Sequence, residues 1–307
     1  MLKKLIYLIR IYLRELMGKS DYWHPKLPAR KDEDTVPDKY YLDFSQKANY
    51  TGPYNADNVP LVRIGGAYRE FAITIFNYGL GILENPENYR ININAIVVWA
   101  LKTQDEDGLW KADFGDAYNC LDKGWVSAMA QGLGISFLSR ASHYVSDDLV
   151  KNKIILSIER AFNALIEDER LAGSNKETLQ RYFQEFGGTN KFVLNGHIFA
   201  IYGIMDYFSM HGDNKSFNNT IEESIKFFSQ FSFLGIWTKY SDSGLISSRF
   251  YHELHIEMLK SILQKYDDKS LQITLRKWQV GGRFAWFFIT LKAFNKLANM
   301  KSVNILD

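Results

Sequence analysis

The sequence predicts a mainly α-helical protein: an α/α-barrel (toroid)-like helical domain behind a small N-terminal β-containing arm. Three observations carry that expectation. Beyond Gly66, apolar stretches of helix length follow one another almost to the end of the chain. Five prolines (Pro25, Pro28, Pro37, Pro53 and Pro60) fall before that point, where helical periodicity is weak. A Gly-apolar-Trp turn, "DGLW" at 107–110 and "LGIW" at 234–237, recurs between helical stretches, and Trp110 stands almost as far before Trp125 as Trp237 does before Tyr251. Repeated helix pairs with aromatic turns at one end suggest a toroid whose helix and loop ends line a central cleft.

Taken in order, residues 1–20 place Leu2, Leu5, Ile6, Ile9, Tyr12, Leu13, Leu16 and Met17 at helical spacing, interrupted by Lys3, Lys4, Arg10 and Arg14. Such a helix either docks on its own domain or lies on an anionic membrane as a basic amphipathic anchor. It is too interrupted for a spanning helix or a signal peptide, so the expected location is cytoplasmic, with peripheral membrane contact through residues 1–20 as the second reading. Residues 21–66 read as an extended arm in which "KYYLDF" and "VPLVRI" alternate like short strands around the turn-rich "NYTGPYNADN". Residues 67–307 form the helical domain, with helices expected at about 68–84, 91–103, 125–144, 148–166, 192–209, 218–231, 250–265 and 282–298.

Composition narrows the function. With 46% hydrophobic and 15% aromatic residues the chain is globular, and 37 basic against 35 acidic residues, interspersed for a net +2, give no duplex-binding surface. Nucleic acid is not an expected partner. One cysteine, Cys120, cannot form an internal disulfide. No metal is expected: the histidines of "HELH", His252 and His255, are three apart rather than the four of a zinc-binding helix.

Three stretches put polar groups where a core helix would carry apolar ones. "GWVSAMAQGLGIS" offers Trp125, Ser127 and Gln131; "KFVLNGHIFAIYG" offers Asn195 and His197, with Phe199 and Tyr202 continuing the Asn195 strip; "SSRFYHELHIEML" offers Tyr251 and His255 one turn apart. Each has a bland alternative, since buried amides often satisfy backbone groups and aromatic residues at helical spacing are commonly core. Together, amide, hydroxyl and aromatic groups converging on a cleft suit a polyhydroxylated ring, and sugar is the expected ligand class.

The blocks "GWVSAMAQGLGISFLSRA", "FVLNGHIFAIYGIMDYF" and "GIWTKYSDSG…FYHELHIEML" resemble the C-terminal region of the D-glucuronyl C5-epimerases, over roughly residues 60–265. The resemblance implies an α/α-barrel-like catalytic domain acting on an acidic polysaccharide or lipid-linked glycan, with no cofactor; a homodimer is a further expectation. The implied reaction removes the proton on C5 beside a uronate carboxylate and returns it on the opposite face. It assigns catalysis to Glu185, Tyr240 and Tyr251, and substrate contacts to Asn195, Trp125, Ser127, Gln131, Tyr182, His197, Trp237, Arg249, His252 and His255.

The chain departs from the family at Phe186, where a tyrosine would follow the glutamate, and at Ser241 and Ser243, where an acid and an arginine would follow Tyr240. Phenylalanine cannot exchange a proton. Tyr182 or His197 could replace the lost hydroxyl; one-sided abstraction could instead eliminate the C4 linkage, making a lyase; or the cleft could bind an acidic glycan without turnover. Hydrolysis would want paired carboxylates, for which Glu185 with Asp113 or Asp116 are imaginable partners. A tyrosine base requires a nearby cation, for which Arg249, Lys239 and Lys191 are the sequence-local candidates.

Overall fold

A computed structural model describes residues 10–19, 21–31, 39–117, 119–175, 180–212, 214–225 and 227–298. Residues 1–9 and 20 of the proposed N-terminal helix (1–20) therefore lie outside the described residues. Its end, α1 (10–16), packs Tyr12 against Ile289 of the last helix, while Leu13, Leu16 and Met17 stay exposed.

The arm contains little regular structure. "KYYLDF" makes only an isolated bridge, Leu42 to Ala29, because its Tyr40, Leu42 and Phe44 are consumed by packing into the core rather than by a strand partner. "VPLVRI" ends in β1 (Val62–Ile64), which pairs antiparallel with β2 (Ala67–Arg69) through a turn at Gly65 and Gly66, both left-handed.

The helices come in successive pairs: α2 (Ala72–Ile82) with α3 (Arg90–Thr103), α4 (Ala128–Ala141) with α5 (Asp148–Glu167), α6 (Leu194–His211) with α7 (Asn214–Ile225), and α8 (Arg249–Lys265) with α9 (Lys269–Gly282); α10 (Ala285–Ala298) follows. The first members pack side by side in the order α2, α4, α6, α8, and the second members back them. Two short antiparallel hairpins were not foreseen: β3 (Ala172–Asn175) with β4 (Gln180–Phe183), and β5 (Ser232–Phe233) with β6 (Trp237–Thr238). The sequence reading also passed over α9, whose buried Leu271, Thr274, Trp278 and Gly281 recur at helical spacing behind an Asp268 cap. Among the described residues no helix is long and apolar enough to cross a membrane.

Every residue of α4 is buried, so this helix is the hub. Its contact with α6 is a backbone approach through glycines: a Cβ on Gly132 would lie 2.3 Å from the Phe199 carbonyl oxygen, and one on Gly203 would lie 2.5 Å from the Gly132 Cα. At the far end of the same pair, Arg140 of α4 clasps Asp206 of α6 at 2.7 and 3.0 Å, and Tyr41 of the arm donates to the same carboxylate at 2.9 Å.

The helices do not close a barrel on themselves. The arm spans the space between α8 and α2 instead. The Ala29 amide donates to the Glu257 carboxylate of α8 at 3.0 Å, His24 sets its ring edge against Phe250, and the 3-10 turn Ser45–Asn49 packs on α2. The recurring turns noted in the sequence do match: Gly108 and Gly235 are both left-handed, and Trp110 and Trp237 are both buried behind them.

Candidate active site

A cavity of about 610 Å³ opens where the ends of α2, α4, α6 and α8 face the arm, a size suited to one or a few sugar rings. Among the described residues the backing helices contribute none to its lining. Trp125, Glu185, Asn195 and Tyr251 line it, together with Phe186 and Phe199. Four buried polar atoms on this wall have no protein partner: Asn77 Oδ1, Trp125 Nε1, Glu185 Oε2 and Asn195 Oδ1. Unpaired buried polar atoms are costly, and four around one cavity mark a place where solvent or a polar ligand can complete the hydrogen bonding.

Glu185 is set in place from both sides. Its neighbour Gln184 donates its amide to the Leu171 carbonyl, accepts from Ala128 and receives the Asn190 amide on its side chain, while the Gly187 amide donates to Val126. The carboxyl then rests on the first turn of α6, where Gly196 has no side chain: a Cβ there would meet Glu185 Cβ at 2.5 Å and Oε2 at 2.6 Å. Burial, with the Asp116 charge adding to it, raises the Glu185 carboxyl to about 8, so it is chiefly protonated at neutral pH.

The run Asn195-Gly196-His197 thus divides three tasks within one helical turn. Asn195 faces the cavity, Gly196 makes room for Glu185, and His197 points to the opposite side. There its Nδ1 accepts the Phe183 amide at 3.0 Å and its Nε2 donates to the Ser224 carbonyl at 2.8 Å. Burial holds the imidazole down at about 4, despite the hydrogen bond to Ser224.

Tyr251 meets the cavity from the first turn of α8, with Ser248 capping that helix. Burial, then the Glu185 charge, raises its phenol to about 12, and a side-chain hydrogen bond with Tyr240 acts in the opposite sense. The two tyrosine rings meet edge to face at 4.7 Å. Tyr240 itself does not line the cavity; its carbonyl accepts the Leu194 amide, which ties this loop to the start of α6.

Several residues expected to touch substrate do not line the cavity and are engaged within the protein. Gln131 is fully buried, accepting the Trp110 amide at 3.1 Å and donating to the Gly108 carbonyl at 2.8 Å; it holds the aromatic turn. Ser127 caps α4 by accepting the Ala130 amide. Trp237 stacks on His252 at 3.6 Å and donates its ring N–H to the Ser247 carbonyl. His252 accepts the Thr238 amide and bonds the Trp278 carbonyl, and His255 bonds the Thr238 hydroxyl. Burial lowers both imidazoles to about 3. Tyr182 packs against Phe192 and Phe227, away from the cavity. Arg249 pairs with Glu253 at 2.7 Å and donates to the Leu16 carbonyl of α1.

Neither Tyr182 nor His197 lines the cavity, where the Phe186 ring lies beside Trp125 at 5.8 Å. None of the three sequence-local cations reaches the cavity either: Lys239 donates to the Gln230 carbonyl and Lys191 to Asn119. The sequence reading missed Asn77 and Lys47. Asn77 was findable, as an amide inside the apolar run of α2, by the same logic that found Asn195; Lys47 carries no local signal.

Comparison with known proteins agrees with this geometry. A 131-residue stretch is 29% identical to the D-glucuronyl C5-epimerase of Caenorhabditis elegans, covering 41% of this chain and 21% of the worm protein, so the chain matches about a fifth of that relative's length. The model of the D-glucuronyl C5-epimerase C-terminus matches residues 104–280, which carry Trp125, Glu185, Asn195 and Tyr251. That match takes in more than half of the chain, and the protein belongs to the D-glucuronyl C5-epimerase C-terminal family.

Proposed function

We propose that the cavity is the active site of a polysaccharide uronate C5-epimerase, converting D-glucuronate to L-iduronate-type residues within the polymer. The observation that carries this is that Glu185 and Tyr251, from separate segments of the family region, line one cavity whose buried polar atoms await partners. The row of α2, α4, α6 and α8, closed by the arm, supports a toroid-like bowl around the sugar.

Inversion needs one proton-transfer group on each face of the ring. A carboxyl held near 8 is a far stronger base than a solvated one, and its ionised form, refreshed from solvent, takes the C5 proton. The electron pair moves into the carboxylate as an enediolate. The Tyr251 hydroxyl then delivers its proton to C5 from the other face, leaving a phenolate that the Tyr240 hydrogen bond supports. Loss of the Glu185 proton to solvent and reprotonation of Tyr251 reset the site. Phe186 takes no proton and serves as an apolar wall with Trp125.

The test is incubation of a glucuronate polymer with the protein in deuterated water. Deuterium at C5 together with iduronate-type signals is expected. No exchange on any acidic polymer, or a 4,5-unsaturated uronate in place of inversion, would overturn the reading.

A further inference from the structure

We propose that Lys47 of the arm is the residue that receives the uronate carboxylate. This inference rests on reading the cavity as a uronate site. Removal of a proton beside a carboxylate places further negative charge on that group, so the site needs a cation against it. Among the described residues two cations line the cavity, Lys47 and Arg63. Arg63 is exposed on β1, where water screens it. Lys47 is 7% exposed.

The Lys47 ammonium is positioned rather than free to roam. Its stem lies against α2 where Gly81 leaves room, a Cβ on Gly81 falling 2.8 Å from Lys47 Cβ. Its Nζ donates to the carbonyls of Tyr22 and Trp23 at 3.1 and 3.2 Å, and it stands 5.2 Å from the centre of the Tyr22 ring. Tyr22 and Trp23 are themselves on the cavity wall. An ammonium has three donors, and these carbonyls take two. Among the described residues no carboxylate lies within ion-pair distance of it. Burial pulls Lys47 down to about 8, outweighing the opposing charge of Asp21, which is itself engaged by Arg14 at 2.7 Å and by His24. An arriving carboxylate supplies both the missing charge and an acceptor for the third N–H. Lys47 lies outside the family-matched segment, so the arm contributes to this site chemistry that the matched segment does not.

The experiment compares a glucuronate-containing oligosaccharide with the same oligosaccharide after reduction of its carboxylates to primary alcohols, binding each to the full chain and to Lys47→Met and Lys47→Arg. Lys47→Met is expected to weaken binding of the acidic form about 10–100-fold, the effect of one charge-assisted hydrogen bond. It should leave the reduced form unchanged, and Lys47→Arg should recover most of the loss. Equal losses for both sugars, or no loss for the acidic one, would overturn the assignment. Should the Met variant not fold, wild-type protein treated with the oligosaccharide bearing an N-hydroxysuccinimide ester at its uronate carboxyl decides the matter. The lysine amine attacks the ester, an amide forms and N-hydroxysuccinimide leaves with the proton. Mass mapping should find Lys47 labelled, and labelling only of other lysines, or of none, counts against it. A wild-type protein without preference for the acidic sugar would sink the uronate reading itself, whereas a preference unaffected at Lys47 would sink this inference alone.

Discussion

Gly196 and Glu185 occupy one another's space: the absent side chain of the first is where the Cβ and carboxyl of the second lie. In an exposed helix, Gly→Ala stabilises by up to about 1 kcal/mol through backbone entropy. At 196 the order should reverse. The new methyl would fall 2.5 Å from Glu185 Cβ, a stem held by backbone hydrogen bonds on both sides, so the strand end or α6 must shift. Gly196→Ala should cost on the order of 1–3 kcal/mol in urea unfolding. It should also reduce C5 exchange at least about tenfold, since a 1 Å displacement of a reacting group is enough for that.

Glu185→Gln separates stability from activity. A carboxyl raised from its ordinary 4.5 to about 8 contributes its full stability only below 4.5, and that contribution is lost as pH rises toward 8. The amide has no such loss. The variant should therefore be more stable than the parent at pH 8, by on the order of 4 kcal/mol, with the difference vanishing near pH 4. Its deuterium wash-in should be abolished. Denaturant midpoints measured at the two pH values check the first statement, and a variant less stable at both would contradict it.

How much of this was legible beforehand depends on what each residue answers to. Apart from α9, the helices were readable because apolar periodicity reflects packing on neighbours, and the cavity positions Asn195, Trp125, Glu185 and Tyr251 were readable from polar or aromatic residues in unusual settings and from the family blocks. Gln131 and His197 gave the same signal for a different reason: a backbone group in a turn or strand end needed a buried partner. Sequence cannot tell an amide that bonds Gly108 from one that faces a cavity, because the partner is remote in the chain. Lys47 was invisible on the same ground, since its value comes from the arm crossing between α8 and α2. The hairpin β5–β6 is two residues per strand, too short for alternation to register.

The buried pair Arg140–Asp206 fixes the central helices to one another and to the arm. Arg140 is 6% exposed and Asp206 7%, and Tyr41 adds a third hydrogen bond. Removing one charge strands the other. Asp206→Ala should destabilise by about 3–5 kcal/mol. Replacing both members with apolar residues should cost far less than the sum of the single changes, and a double-mutant cycle by chemical denaturation measures the difference.

Acid should unfold the protein through its histidines. His197, His252 and His255 are held at about 4, 3 and 3 against an ordinary 6.5, so the unfolded chain binds their protons first. Stability from these groups is complete above 6.5 and falls as pH drops toward 4. At pH 5 each should contribute on the order of 2 kcal/mol less than at pH 7.5. Urea midpoints should fall steeply across this range, and a His197→Gln variant should show a shallower fall. An unchanged slope in that variant would show that His197 is not buried neutral.

Tyr240 acts through Tyr251, so Tyr240→Phe should leave a specific trace. The phenylalanine ring keeps the edge-to-face contact at 4.7 Å and loses the hydrogen bond that favours the Tyr251 phenolate. A hydrogen bond to a charged group contributes about 1.5–3 kcal/mol, or roughly a 10–100-fold change in rate. The loss falls on the step in which Tyr251 gives up its proton, and the Glu185 face is untouched. Inversion should slow by that factor while deuterium returned by Glu185 to the original face still accumulates. Deuterated glucuronate should then outweigh deuterated iduronate-type product relative to the parent, as read by NMR of the digested polymer. A variant that slows both channels equally would place Tyr240 in the support of the fold and leave the phenolate without its partner in catalysis.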